Sequence, residues 1–283
     1  MKSWNTVTII GVGLIGGSIG LALRNRGLAD QVVGIGRSKS SANLIKAKEL
    51  GAITAIASDI PQGVANADIV IVCTPVNEIA EHVLAAAIAV PTNTLLTDAG
   101  STKASIVSKV EASMLPDEHF VGSHPLAGSE KKGMHFARAD LFEGRVVIIT
   151  PTNRTKAEDA QALTDFWSSL GANVLTMSPE VHDKALAGTS HLPHLIAAAL
   201  AGITPQDDLP LTAGGWRDVT RIAAGDPNLW TQILLENRAN VLKSLTGFEK
   251  KVQAFRSAIE RGDATLLRAL LTEGKQVRDA LGD

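Results

Sequence analysis

A single histidine stands in a stretch rich in turn formers, Gly122-Ser123-His124-Pro125-Leu126-Ala127-Gly128-Ser129-Glu130, directly after the short apolar run Phe120-Val121. An imidazole has an unperturbed pKa of roughly 6.5, so it can take or give a proton near neutral pH. Packing alone gives no reason for one here. Upstream, Gly11-Val12-Gly13-Leu14-Ile15-Gly16 follows the apolar run Val7–Ile10 and opens a helical pattern. In such a turn the first glycine allows the tight bend, the second lets a pyrophosphate approach the backbone, and the third lets helix and strand pack closely. The helix start then offers free N–H groups and partial positive charge to phosphates. Gly11, Gly13, Leu14, Ile15 and Gly16 are therefore the expected dinucleotide cradle. A proton acceptor and a hydride acceptor in one unit are the minimum equipment of a dehydrogenase.

The end of the second strand distinguishes the two nicotinamide dinucleotides. A carboxylate about 20 positions beyond the fingerprint would bind a ribose 2′-hydroxyl. Here the segment reads Gly34-Ile35-Gly36-Arg37-Ser38-Lys39, with glycine where the acid would stand. Arg37, Ser38 and Lys39 offer donors and positive charge to a 2′-phosphate. The reading is NADP, with NAD as the alternative. Thr74-Pro75 and Asp98-Ala99-Gly100-Ser101-Thr102-Lys103 each follow a strand, at the end where open α/β sheets bind ligands. Ser101 can orient an imidazole or meet the carboxamide of the cofactor, and can equally cap the next helix.

These residues need a scaffold. Apolar runs at Val7–Ile10, Gln31–Ile35, Ile69–Cys73, Thr94–Thr97, Phe120–Gly122 and Val146–Thr150, with a weaker one at Asn173–Met177, read as strands. Helical patterns such as Gly16–Arg26 and Ser41–Leu50 lie between the early ones. Strands joined by single helices imply right-handed crossovers and a mainly parallel, doubly wound Rossmann-type sheet. After about Ser178 the strand-like runs stop. The expected division is a dinucleotide-binding domain over 1–177 and an all-helical substrate and dimerisation domain over 178–283. Asp207-Asp208-Leu209-Pro210 reads as a loop, and Asp226-Pro227 as the cap and first turn of a long helix reaching about Glu260. Within that helix Val241, Leu245, Phe248, Val252, Phe255 and Ile259 form a heptad-like seam. It fits packing inside its own domain and packing against a second subunit alike.

The 283 residues are 45% hydrophobic and 20% charged, enough for a buried core. The net charge of −2 gives no bulk reason for nucleic acid or an anionic membrane surface. The lone cysteine, Cys73, sits in an apolar run and reads as a buried small hydrophobe. It excludes an intrachain disulfide, and no third ligand accompanies His191 and His194, so no metal is expected. No signal peptide is seen and no apolar run is expected to reach the ~18 residues that span a bilayer. A cytoplasmic enzyme is the expectation.

Five anchors together carry a resemblance over nearly the whole length: Gly11-x-Gly13-x-x-Gly16, Asp98-x-Gly100-Ser101-x-Lys103, Gly122-Ser123-His124-Pro125-Leu126-Ala127-Gly128, Ser190-His191-Leu192-Pro193-His194, and Arg217-Asp218-Val219-Thr220-Arg221-Ile222-Ala223. The chain resembles the prephenate/arogenate (cyclohexadienyl) dehydrogenase family of tyrosine biosynthesis. The resemblance implies a nucleotide-binding domain, a helical domain that builds a homodimer, and oxidative decarboxylation of a cyclohexadienyl acid. It makes His124 the residue that hydrogen-bonds the substrate C4 hydroxyl and Ser101 the one that orients it. Arg221 would hold a substrate carboxylate, with His194 and Ser190 lining the pocket. Glu130 and Asp218 would form ion pairs that control access. In this family's frame the chain leaves no segment for an added mutase or regulatory domain, so tyrosine inhibition, if present, would act at the active site. Two other readings compete. A β-hydroxyacid dehydrogenase would use a lysine base, with Lys184 as the candidate, and a non-catalytic NADP sensor would need neither His124 nor Arg221.

Overall fold

The computed structural model describes residues 4–38, 41–115, 119–128 and 131–282. Its strands are β1 (Trp4–Ile10), β2 (Ala29–Ile35), β3 (Ala55–Ile56), β4 (Ile69–Val72), β5 (Leu95–Asp98), β6 (His119–Pro125), β7 (Val146–Thr150) and β8 (Asn173–Thr176). They form one sheet in the order β3-β2-β1-β4-β5-β6-β7-β8. Every pairing is parallel except β6 with β7. The first six strands follow the doubly wound dinucleotide order, with the reversal point between β1 and β4. The expected Rossmann-type sheet is therefore present.

Alternation along the central strands explains how both faces are covered. Val7, Ile9, Ile69 and Ile71 enter one apolar core with α1 (Leu14–Asn25) and α6 (Ala157–Ser169). Ile10, Val70 and Val72 enter the other, with α4 (Val76–Ala87) and α5 (Ala104–Glu111). All four residues of β4 are buried, so neither face could carry a polar residue without a partner. Each buried Val or Ile contributes ~1.5–3 kcal/mol of transfer free energy. The two short helices α2 (Ala42–Glu49) and α3 (Ile60–Val64) complete this part.

Every described element after β8 is helical: α7 (Pro179–Leu186), a π-helical turn at Ala187–His191, α8 (Leu192–Ile203), α9 (Gly214–Thr220), α10 (Pro227–Glu236), α11 (Arg238–Glu260) and α12 (Ala264–Asp279), with short 3-10 turns between. The chain divides into two compact units, one ending at Asn237 and the other starting at Arg238.

Several sequence expectations are corrected. β6 runs on through His124 and Pro125, so the histidine lies in a strand and not in a turn; antiparallel pairing of His124 with Ile148 continues the ladder. Asp226 does cap a helix, accepting from Asn228 N with Pro227 in the first turn, but that helix breaks at Asn237 and does not run unbroken to Glu260. Gln206–Leu211 is a 3-10 helix, not a loop. The stretch Pro179–Ile203 is one continuous helical run, long and apolar enough by length and composition to cross a membrane, where no such run was expected. The π-helical turn joins what would otherwise be two short helices, and His182 and Asp183 on α7, His191 in the turn and His194 on α8 are all buried.

Candidate active site

The glycine turn has the geometry its three positions require. Gly11 has φ +95°, and a Cβ there would sit 2.8 Å from the Cys73 backbone. A Cβ on Gly16 would overlap the Gly11 carbonyl oxygen, so α1 can approach β1 only with glycine there. Gly13, which caps α1 without any side-chain bond, faces open space: a Cβ would meet nothing within 4 Å. The pattern fits a dinucleotide, whose pyrophosphate needs an open second glycine above free helix N–H groups. Leu14 and Ile15 are half-buried in the first turn of α1. Thr74 Oγ1 lies 3.0 Å from His82 Nδ1, and Pro75 caps α4.

At the end of β2, Gly36 packs against Leu44, whose Cδ1 would be 3.1 Å from any Cβ at that position. Arg37 is 85% exposed and its guanidinium donates to Glu78 on α4 at 3.3 Å. Ser38 is exposed beside it, while Lys39 lies outside the described residues.

His124 is reached by a chain of buried bonds. Its Nδ1 is 2.8 Å from Nε2 of His182 on α7, and His182 Nδ1 is 2.8 Å from Asp183 Oδ1. Asp183 in turn accepts from the backbone N–H groups of Lys103 and Ala104, at 2.8 and 2.9 Å, where α5 begins. Those two bonds do the work of a helix cap, so Ser101 does not: α5 has Lys103 at its cap position and no side-chain cap bond. Burial pushes the Asp183 carboxyl up, but bonds from His182 and from the two backbone amides outweigh it and hold the group below its ordinary pKa. Burial is also the largest reason that His124 lies well below its ordinary value, and the nearby His182, Lys103 and His191 add to it. His124 is therefore a neutral imidazole at neutral pH.

Below this chain the Lys103 ammonium pairs with Asp98, both fully buried, and donates to the Ser123 carbonyl at 3.0 Å. Burial lowers the Lys103 pKa, with Asp98 and Asp183 opposing. Ser123 Oγ donates to the Asp98 carbonyl at 2.6 Å and accepts from Trp167 Nε1 at 3.1 Å. The residue before His124 is thus tied to β5 and α6 together.

The other expected residues are not all part of this cluster. Ser190 is half-buried in the π-helical turn. His191 is buried, with Nδ1 3.1 Å from Asn237 Nδ2, and burial pulls its pKa down to about 4 against the opposing pull of Asp183. The Ser101 backbone also favours its charged form, which places Ser101 against His191. His194 stacks flat on Trp230, with ring centroids 3.5 Å apart and 12° between planes. Arg221 and Asp218 are exposed. Arg221 and Arg217 stand on the wall of an open depression with Trp216 and Thr220. Glu130 lies outside the described residues. Lys184 is exposed on α7. No group of three or more metal-ligating side chains occurs among the described residues.

The chain matches two family models, the nucleotide-binding domain of prephenate dehydrogenase over residues 19–176 and the dimerization domain of prephenate dehydrogenase over residues 178–273. The chain belongs to the prephenate dehydrogenase family. It is 35% identical over 286 residues to a prephenate dehydrogenase of Bacillus subtilis, covering 98% of this chain and 76% of that one. It is 35% identical over 288 residues to a cyclohexadienyl dehydrogenase of Zymomonas mobilis, covering 99% and 97%. Its fold superposes with a TM-score of 0.89 and 34% identity on the crystal structure of prephenate dehydrogenase from Aquifex aeolicus in complex with hydroxyphenyl propionate and NAD+, covering 99% of each chain. The resemblance read from the five anchors is borne out.

Within this prephenate dehydrogenase family member the sequence reading missed His182, Asp183, Asn237 and the stacking role of Trp230. A signal for the first two exists. Pro179, His182, Asp183 and Leu186 are the buried face of α7. Two polar residues on an otherwise apolar helical stripe must be satisfied by specific partners. Trp230 and Asn237 carry no such local signal, because their partners, His194 and Asp183, are distant in sequence.

Proposed function

We propose that the chain is a prephenate or arogenate dehydrogenase, converting prephenate to 4-hydroxyphenylpyruvate, or arogenate to tyrosine, in tyrosine biosynthesis. The observation that carries this reading is the position of His124. It is a buried, neutral imidazole at the carboxyl end of β6, the same sheet edge from which the glycine turn after β1 and the Asp98–Lys103 segment after β5 emerge. Ligands of open α/β sheets bind at that edge.

His124 takes the proton from the C4 hydroxyl, for which a neutral base with a free nitrogen is required. A nicotinamide dinucleotide bound at Gly11, Gly13, Leu14, Ile15, Gly16, Thr74 and Pro75 supplies the acceptor for the C4 hydride. Loss of the C1 carboxylate as CO2 leaves an aromatic ring, so the reaction runs downhill. Arg221 binds a substrate carboxylate through its fork of donors, a geometry lysine lacks. Ser101, beside His191, helps to orient substrate and imidazole, and His194, Ser190, Glu130 and Asp218 line or gate the pocket. Residues 1–177 form the nucleotide-binding domain and 178–283 the helical domain through which a cytoplasmic homodimer assembles.

NADP is the proposed cofactor. Gly36 packed on Leu44 leaves no carboxylate for a ribose 2′-hydroxyl, and Arg37 and Ser38 face solvent at the end of β2. NAD is the second reading: Glu78 already engages Arg37 and sets a negative charge beside it.

Mixing the full chain with prephenate or arogenate and either dinucleotide, and following absorbance of the reduced nicotinamide, tests the proposal. Turnover with at least one substrate is expected, with a higher kcat/KM for NADP+. His124→Asn is expected to lower kcat by ~10²-fold or more. No signal with either substrate overturns the function, and a clear NAD+ preference overturns the cofactor assignment alone.

A further inference from the structure

We propose that His182 and Asp183 are positioning residues that fix the tautomer of His124, so that its Nε2 presents a lone pair to the reacting hydroxyl. The proposal rests on the reading of His124 as the proton acceptor and extends it to the two residues behind.

The direction of each hydrogen bond follows from the far end of the chain. Asp183 faces two backbone N–H groups, those of Lys103 and Ala104, which can only donate. Its carboxylate therefore acts as acceptor throughout. The third bond it receives, from His182 Nδ1 at 2.8 Å, requires the proton on Nδ1. In the proposed relay the Nδ1 proton is the one that His182 carries, which leaves a lone pair on its Nε2. His124 Nδ1, 2.8 Å away, then supplies the proton of that bond. With its proton on Nδ1, His124 has a free lone pair on Nε2. The polarity set at the start of α5 is thus passed through two imidazole rings to the nitrogen that accepts. His182 is fully buried and Asp183 is 2% exposed, so water cannot substitute for either partner.

A second set of bonds holds the relay in place. Asn237 Nδ2 donates to the Asp183 carbonyl at 2.7 Å, which anchors the backbone of α7 at this point. The His124 and His182 rings meet edge to face, 5.1 Å between centroids and 65° between planes, so neither ring can flip without losing a bond.

The test pairs kinetics with a spectroscopic readout. Two-bond 1H–15N correlation spectra of the full chain labelled with 15N-histidine distinguish a protonated from an unprotonated ring nitrogen. The His124 signals are assigned by their loss in His124→Asn. The wild-type protein is expected to show His124 protonated on Nδ1 and unprotonated on Nε2. Asp183→Asn presents an amide N–H to His182 and reverses the polarity, so His124 is expected to shift to the Nε2-protonated form. Its kcat is expected to fall by about 10³-fold with KM changed less than about threefold; in a serine protease the analogous reversal costs ~10⁴-fold. Because Asp183→Asn also weakens the start of α5, His182→Phe serves as a second variant. It keeps a ring, removes both bonds, and is expected to leave His124 as a mixture of tautomers with kcat reduced about 10²-fold. Wild-type His124 protonated on Nε2, or a His182→Phe protein with unchanged His124 signals and unchanged kcat, overturns the proposal. The spectra need no substrate, so they decide the relay even if neither cyclohexadienyl acid is turned over.

Discussion

His191 is 1% exposed, and its Nδ1 accepts from Asn237. Burial holds its folded pKa at about 4, against an ordinary value of 6.5. Between those values the unfolded chain binds a proton that the folded chain does not. Stability therefore rises with pH from about 4 to about 6.5 and is flat above that window, the direction opposite to a histidine gaining an acidic partner. The full effect is on the order of 3 kcal/mol. His124 is depressed in the same direction and adds to the loss in acid. Urea unfolding at pH 5 is expected to give a lower midpoint than at pH 7.5, and His191→Gln is expected to narrow that gap. An equal gap in the variant would remove His191 from the account. At this scale the sequence showed less than it contained. His124 and His194 stood out because their neighbours match a family motif. His182 and Asp183 lie on the buried stripe of α7, but their partners come together only when β6 and α5 are folded against them.

At the scale of elements, the turn between β1 and α1 separates two kinds of glycine. A Cβ on Gly16 would overlap the backbone carbonyl of Gly11, which cannot move without breaking the turn. Gly16→Ala is expected to destabilise the fold by ~1–3 kcal/mol, the range for overpacking a tight site. A Cβ on Gly13 meets nothing in the protein. Gly13→Ala is expected to leave stability within about 0.5 kcal/mol and to raise the KM for dinucleotide about tenfold, equivalent to 1.4 kcal/mol of binding. Denaturation curves and cofactor titration of the two variants check this; equal stability losses at both positions would contradict it. The same turn was legible in the sequence because its glycines sit between a strand and a helix with distinct periods. β3 was not, since two residues, Ala55–Ile56, carry no period at all. The true end of β6 was hidden by Pro125, which is tolerated because it is the last residue of the strand. The break at Asn237 was hidden because the apolar spacing continues across it and no glycine or proline marks it.

At the scale of the molecule, the second unit shows an unfinished surface. α11 and α12 form a hairpin turned at Gly262, with φ +63°, and closed by Asp263, which accepts from Leu266 N at 2.9 Å. Lys251 and Glu273 join them at 2.8 Å. Yet α12 has no buried residue, and Leu271, Val277 and Leu281 are 59%, 70% and 79% exposed. The seam predicted along α11 is divided: Val241 is buried, while Val252 and Ile259 are 47% and 65% exposed. A helix pair cannot stabilise itself with its apolar stripes in water, because each large side chain left out forgoes ~1.5–3 kcal/mol. A second copy of the chain would supply the same stripe in symmetric arrangement, as closed two-fold dimers do. Light scattering at micromolar concentration is expected to give twice the 29.7 kDa chain mass. Replacing both Val252 and Ile259 by Glu should shift that mass toward the monomer while the histidine signals of the first unit stay in place. A wild-type monomer at this concentration would sink the seam argument. A double variant that remains dimeric would move the interface off α11, leaving the exposed side chains of α12 as the surface to test next.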